Sequence, residues 1–111
     1  MPSANFTRLL KAEVTGNVTD QEMTDSGGSV TAAHGVPMSI RVALGTATSI
    51  DVTVKDATTG ATLLKETSIT SSTDYSVDDL LFNAVHGKVT VTTANISNSS
   101  HTATVYLSVR E

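Results

Sequence analysis

The chain has 111 residues, a formal net charge of −4 and no cysteine. This length suits a single domain, residues 1–111, with one core. Without cysteine the chain can form neither a disulfide framework nor a thiolate metal site. Nucleic acids and anionic membranes bind concentrated positive charge, and the Lys and Arg residues are not clustered, so we expect neither partner.

The first 14 residues, MPSANFTRLLKAEV, lack the apolar segment of a secretory signal. We therefore expect the polypeptide to act where it is made. The chain also contains no run of about 18 apolar residues, which is the length that spans a bilayer.

Residues 6–14 allow two interpretations. Their apolar side chains are Phe6, Leu10, Ala12 and Val14. The intervening charges favour a β-strand, but Leu9 breaks the alternation, so a short amphipathic arm is the alternative. Residues 1–12 are accordingly either an N-terminal arm or part of the first strand.

Residues 15–29 form a long polar segment that is either a functional loop or hides a strand around Val18. The carboxylates of Asp20, Glu22 and Asp25 resemble those of a calcium loop, because hard cations prefer oxygen ligands. Their spacing differs from that of a twelve-residue EF-hand loop, however. We favour a solvated acidic loop and expect no bound metal.

Two further elements are predicted before residue 45. Residues 30–33 are a short strand candidate, and residues 34–37 (HGVP) are a predicted turn, because Pro37 excludes the helical conformation at the preceding residue. Residues 38–44 alternate apolar and polar side chains, which predicts a strand that ends at Gly45.

The central feature of the sequence is a predicted hairpin at residues 49–66, SIDVTVKDATTGATLLKE. Ile50, Val52 and Val54 share one face of its first strand. Residues 56–60 break the pattern with Asp and Gly, as a hairpin loop does. The return strand either continues through Ile69 or ends in a loop. Because a lone hairpin is marginal in water, more strands must cover its apolar face.

Residues 76–87, SVDDLLFNAVHG, carry helix signals. Ser76 is a candidate N-cap, Asp78 and Asp79 fall in the first turn, and Gly87 is a candidate terminator. We predict one short helix near residues 76–86, or a compact apolar loop, that plugs the end of the sheets.

Two more strands complete the chain at residues 88–94 and 101–110, with a polar turn between them. The last strand alternates most cleanly, with Ala103, Val105, Leu107 and Val109 on one face. With about six to eight short strands separated by turns, the sequence predicts an all-β fold, an antiparallel β-sandwich or small barrel.

The sequence indicates no catalytic chemistry. His34, His86 and His101 are not spaced as metal pairs with one another or with a carboxylate. Asp78 and Asp79 are adjacent and therefore diverge, which does not suit an acid/base pair. No nucleophile elbow or phosphate loop occurs. We expect a protein that is not an enzyme and has no cofactor.

Four segments of the chain are considered together. They are the opening MPSANFTRLLKAEV, the hairpin SIDVTVKDATTGATLL, the turn HGKVTVTTANISNSS and the final strand HTATVYLSVRE. In this combination the chain resembles small β-sandwich virion proteins of tailed bacteriophages, which include capsid decoration or cement proteins. The resemblance implies a structural protein, made in the host cytoplasm, that binds and stabilises the assembled lattice of the major capsid protein at the virion surface. It also implies a homo-oligomer, a dimer or trimer, without catalytic residues.

A capsid contact is predicted near the N-terminus, where an apolar and basic cluster stands out in an acidic chain. Its residues are Phe6, Arg8, Leu9, Leu10 and Lys11. On this hypothesis, deletion of residues 1–12 abolishes capsid binding and leaves the fold intact. The alternative is that the same segment is simply the first core strand.

Two other functions are compatible with the sequence. One is a neck or tail subunit, in head–tail joining or in the tail tube, which should form defined oligomers in solution, whereas a cement protein should need the shell. The other is a surface module that binds a glycan or receptor. Tyr106, on the outer face of the last strand, is its candidate stacking residue, and cross-strand packing is the alternative role of that ring.

Overall fold

The computed structural model describes residues 7–111, and within that range two antiparallel β-sheets pack as a sandwich with one 3₁₀ turn and no α-helix. The strands are β1 (Thr7–Thr15), β2 (Gln21–Glu22), β3 (Ala33–Leu44), β4 (Ile50–Asp56), β5 (Thr62–Ile69), β6 (Thr73–Ser76), β7 (Val85–Gly87), β8 (Val89–Ala94) and β9 (Thr102–Arg110). The predicted all-β antiparallel sandwich is confirmed.

The larger sheet has the strand order β1-β9-β3-β6, with β7 also paired to β3, and the smaller sheet has the order β2-β8-β4-β5. The nine strands of the described range exceed the predicted number because β2 and β7 contain only two and three residues. Strands this short leave too little alternation to be read from a sequence.

One core lies between the sheets. The alternating residues of β9, Ala103, Val105, Leu107 and Val109, are buried on its larger-sheet side. Ile50, Val52 and Val54 of β4 are buried on the opposite side. Full burial of each large aliphatic side chain contributes about 1.5–3 kcal/mol, so these facing strands supply much of the stability.

The predicted hairpin is present. Strands β4 and β5 pair antiparallel, with Val54 opposite Leu64. The Gly60 N–H donates to the Asp56 carbonyl at 2.8 Å, and Gly60 has a φ of 78°. Glycine adopts this left-handed conformation readily, as the turn requires. The return strand continues through Ile69, one of the two predicted alternatives.

The predicted turn at residues 34–37 is wrong, because these residues belong to β3. Pro37 lies where the pairing with β9 shifts register, between Pro37 and Ser39. A proline lacks the N–H of a regular ladder and is tolerated at such an irregularity. Of the strand predicted at residues 30–33, only Ala33 is in β3, and Val30 forms an isolated bridge with Thr24.

The predicted helix near residues 76–86 is reduced to a 3₁₀ turn at Val77–Asp79. Ser76 is its N-cap residue, and the Asp79 carboxylate holds it by accepting hydrogen bonds from the Ser76 N–H at 2.9 Å and from its hydroxyl at 3.3 Å. Gly87 ends no helix, because it lies in β7 opposite Ala33. Pairing with β3 takes up Val85–Gly87 and leaves too few residues for a stable helix.

The polar segment at residues 15–29 contains one short strand, β2, at a different place from the one predicted. Val18 lies in a loop, and its N–H donates to the Thr93 hydroxyl at 2.9 Å. β2 pairs with β8 through Gln21 and Glu22.

Candidate functional site

The predicted docking segment lies in β1, which pairs with β9 from Thr7 to Thr15. Alternation splits the cluster between two faces. Leu9 is 50% exposed on the outer face, which it shares with Lys11, whereas Leu10 is fully buried in the core. Arg8 lies on the same face of β1 as Leu10, but at the end of the sandwich. Its Nε donates to Glu111 Oε1 at 3.0 Å. Phe6 lies outside the described residues.

The free edge of β1 is partly paired. The Lys11 N–H donates to the Thr24 carbonyl, and the Thr24 N–H donates to the Lys11 carbonyl, both at 2.8 Å. Backbone groups of alternate residues point the same way in an antiparallel strand, so the N–H and C=O of Leu9 also point away from β9. Neither group has a hydrogen-bond partner among residues 7–111. We call the outward N–H and C=O of Leu9 the open edge.

A loop at residues 25–29 runs beside the open edge and leaves a groove of about 500 Å³ between them. Asp25 holds this loop in shape. Its carboxylate accepts hydrogen bonds from the Gly27 N–H at 2.9 Å, the Ser29 N–H at 3.1 Å and the Thr31 hydroxyl at 3.0 Å. These donors, with Ser29 first, lower the pKa of Asp25 below its usual 3.8. These hydrogen bonds fix the conformation of residues 25–29, which form one side of the groove.

A second depression lies on the outer face of the larger sheet. Tyr106 stands between two cross-strand neighbours, Lys11 and Arg41, and Arg41 Nη1 donates to Asp74 Oδ1 at 2.8 Å. We call this shallow depression of about 460 Å³ the Tyr106 groove; its lining is Leu9, Ser39, Arg41, Asp74, Tyr106 and Ser108. It combines apolar side chains with charged ones.

Three exposed large apolar side chains occur together in one loop, residues 77–82, which we call the apolar loop. Leu81 is 66% exposed, Phe82 42% and Val77 41%. Only Leu80 of this loop packs against the core. The loop was predicted to plug the end of the sheets, but only Leu80 does so. Helical spacing alone could not distinguish the inward side chain from the outward ones.

Two of the candidate metal ligands, Asp20 and Glu22, are paired with lysines. Lys55 Nζ lies 3.7 Å from Asp20 Oδ1, and Lys88 Nζ lies 3.5 Å from Glu22 Oε2. Within the described part of the chain, no group of three or more His, Asp or Glu side chains is placed to hold a metal ion. In the same range, no helix has the length and apolar character needed to cross a membrane. The acidic segment thus forms ion pairs and holds its own loop.

Comparison with known proteins identifies no relative: no protein-family model, no curated protein and no solved structure matches the chain. The function has therefore to be inferred from the residues and surfaces of the chain itself.

Proposed function

We propose that this chain is a structural virion protein of a tailed bacteriophage, a decoration or cement protein that binds the major capsid protein lattice and stabilises the assembled head. The sequence resemblance motivates this role, and the observation that carries it is the open edge of β1 beside the exposed Leu9 side chain. The chain is made in the host cytoplasm and acts at the capsid surface. The role requires no catalysis and no cofactor.

The open edge supports a contact by strand addition. An extended segment of the shell protein pairs with the outward N–H and C=O of Leu9, and main-chain hydrogen bonds then provide affinity. The groove against residues 25–29 accommodates alternate side chains of that segment. Natural proteins usually protect such an edge with a charge, a proline or a bulge, whereas position 9 carries an exposed leucine.

A contact of this size is weak by itself. Decoration of a shell repeats it many times, and each added contact acts at a high effective concentration. Of the predicted docking residues, Leu9 and Lys11 are available on the surface, and Arg8 lines the same groove. Leu10 supports the strand from within the core.

Leu9→Pro tests the proposal. On the backbone, proline removes the outward N–H of residue 9 and leaves the groups that pair with β9, so the sheet is kept while strand addition loses its hydrogen-bond donor. We expect co-sedimentation with purified heads of the phage particle to weaken at least tenfold. Leu9→Val keeps the N–H and the strand propensity, and we expect it to bind as the wild type does.

Electron microscopy of that particle provides the second measurement. Density for the chain on the head shell supports the decoration role, whereas density at the neck or tail supports the alternative subunit. Equal binding by Leu9→Pro and wild type would exclude the open edge as the contact. Absence of the chain from every part of the particle would refute a virion role.

A further inference from the structure

The apolar loop is held in place although its side chains are exposed. The Leu81 N–H donates to the Leu63 carbonyl of β5 at 2.8 Å, and the Leu80 N–H donates to the Val77 carbonyl at 3.3 Å. The Asp79 carboxylate caps the turn at Ser76. A loop fixed in this way loses little conformational entropy on binding, and adjacent exposed apolar side chains mark a contact surface.

Charge restricts what can cover this loop. Asp78 and Asp79 lie beside Val77 and Leu81, so two copies of the loop packed face to face would bring four carboxylates together. Like charges opposed across an interface cost several kcal/mol. An acidic partner surface is therefore disfavoured, and an apolar surface with nearby cations suits the loop best.

The Tyr106 groove has this character. Leu9 and Tyr106 supply apolar area. Lys11 and Arg41 flank the ring on the two neighbouring strands. Both cations are exposed enough to meet a further carboxylate, although Lys11 lies 3.5 Å from Glu13 and Arg41 2.8 Å from Asp74. A guanidinium has five N–H donors, and the bond to Asp74 uses only one of them, at Nη1. Arg41 can therefore also donate to a second carboxylate.

The loop cannot enter the groove of its own chain. Leu81 is hydrogen-bonded to β5, the edge strand of the smaller sheet, whereas the groove lies on the outer face of the larger sheet. The two surfaces can therefore meet only between different copies.

We propose that the apolar loop of one copy docks into the Tyr106 groove of the next copy, head to tail. Two different patches form this contact, so its head-to-tail repetition builds a ring or a chain of copies, and a twofold dimer would need both contacts to form reciprocally. Three apolar side chains bury far less than a standard interface, and we expect weak association, with a Kd of roughly 0.1–1 mM. On a shell, neighbouring sites raise the effective concentration and the contact becomes occupied.

Mixing two complementary variants tests this proposal without any capsid. Leu81→Asp disables the loop and keeps the groove, and Tyr106→Glu disables the groove and keeps the loop. Both positions are on the surface, so both variants should fold; Arg41→Glu is a second groove variant. We expect unlabelled Tyr106→Glu to shift the amide resonances of Ser39, Arg41 and Tyr106 in ¹⁵N-labelled Leu81→Asp. Unlabelled Leu81→Asp should cause no such shifts.

The wild-type chain should show concentration-dependent shifts at both surfaces, and each single variant should weaken its self-association at least tenfold. Spectra of the wild type that are unchanged up to about 1 mM, the weak limit expected for this contact, would overturn the proposal. So would shifts confined to other surfaces, or shifts when both partners carry Leu81→Asp. This experiment contains no capsid, so a negative result does not test the capsid role. A chain that stays monomeric but still binds capsids would refute the copy-to-copy contact and support the decoration role.

Discussion

At the scale of single residues, Asp56 has the most consequential environment. Its carboxylate is completely buried, and it accepts hydrogen bonds from the Thr58 N–H and the His86 N–H, both at 2.9 Å. The first bond is the local Asp turn that the sequence predicts. The second ties the hairpin loop to β7, thirty positions along the chain. No local pattern could have indicated it.

Asp56→Ala should therefore destabilise the fold strongly. The substitution removes two hydrogen bonds from backbone N–H groups to a buried carboxylate, and each is worth about 1–3 kcal/mol. Urea unfolding should show a free energy of unfolding lower by about 2–6 kcal/mol. Asp78→Ala, at an exposed position, should leave the unfolding midpoint unchanged. Equal midpoints for the two variants would contradict this account of Asp56.

At the scale of secondary structure elements, β1 combines two roles. Its inward side chains, Leu10, Ala12 and Val14, are buried in the core, while Leu9 lies on the surface. An arm that could be removed would not be paired over its length with β9. The structure thus changes the expected result of the N-terminal deletion.

Deletion of residues 1–12 should unfold the domain rather than only abolish capsid binding. It removes Leu10 and Ala12 from the core and exposes the matching length of β9. Loss of a buried Leu alone costs about 2–5 kcal/mol, a large part of the 5–15 kcal/mol typical of a domain. Circular dichroism and amide dispersion should show an unfolded chain. A truncated chain with native dispersion would mean that β1 is dispensable, and the point variants at Leu9 remain the cleaner test of docking.

At the scale of the whole molecule, the sandwich depends on the apolar core between its two sheets. Val105 lies fully buried at the centre of β9, whereas its neighbour Thr104 lies on the outer face opposite Glu13. The two positions differ by one residue in sequence and by one sheet face in space.

Val105→Asp should prevent folding, because a buried unpaired carboxylate costs several kcal/mol. Thr104→Lys, which places a charge beside Glu13 on the outer face, should fold and melt near the wild-type temperature. Thermal melts of the two purified variants check both expectations. A soluble Val105→Asp protein with an unchanged melting curve would mean that the facing sheets do not enclose the core as described.

The open edge and the apolar loop lie at opposite edges of the larger sheet. The open edge belongs to β1, and the apolar loop follows β6, the last strand of that path. Three strand spacings of about 4.8 Å separate these strands. On the two proposals above, the shell protein would contact the open edge of β1, and a neighbouring copy would contact the apolar loop and the Tyr106 groove, which is also lined by Leu9.

The sequence by itself determined the all-β class, the hairpin at residues 49–66 and the inward face of β9, because alternation and turn chemistry are local properties of the chain. Only the tertiary structure decided that residues 34–37 continue β3, that Asp56 reaches β7, and that Leu10 is buried while Leu81 is exposed. These outcomes depend on which strand lies beside which. Pairing between distant segments carries no local signal, and the surfaces proposed for binding are what such pairing leaves uncovered.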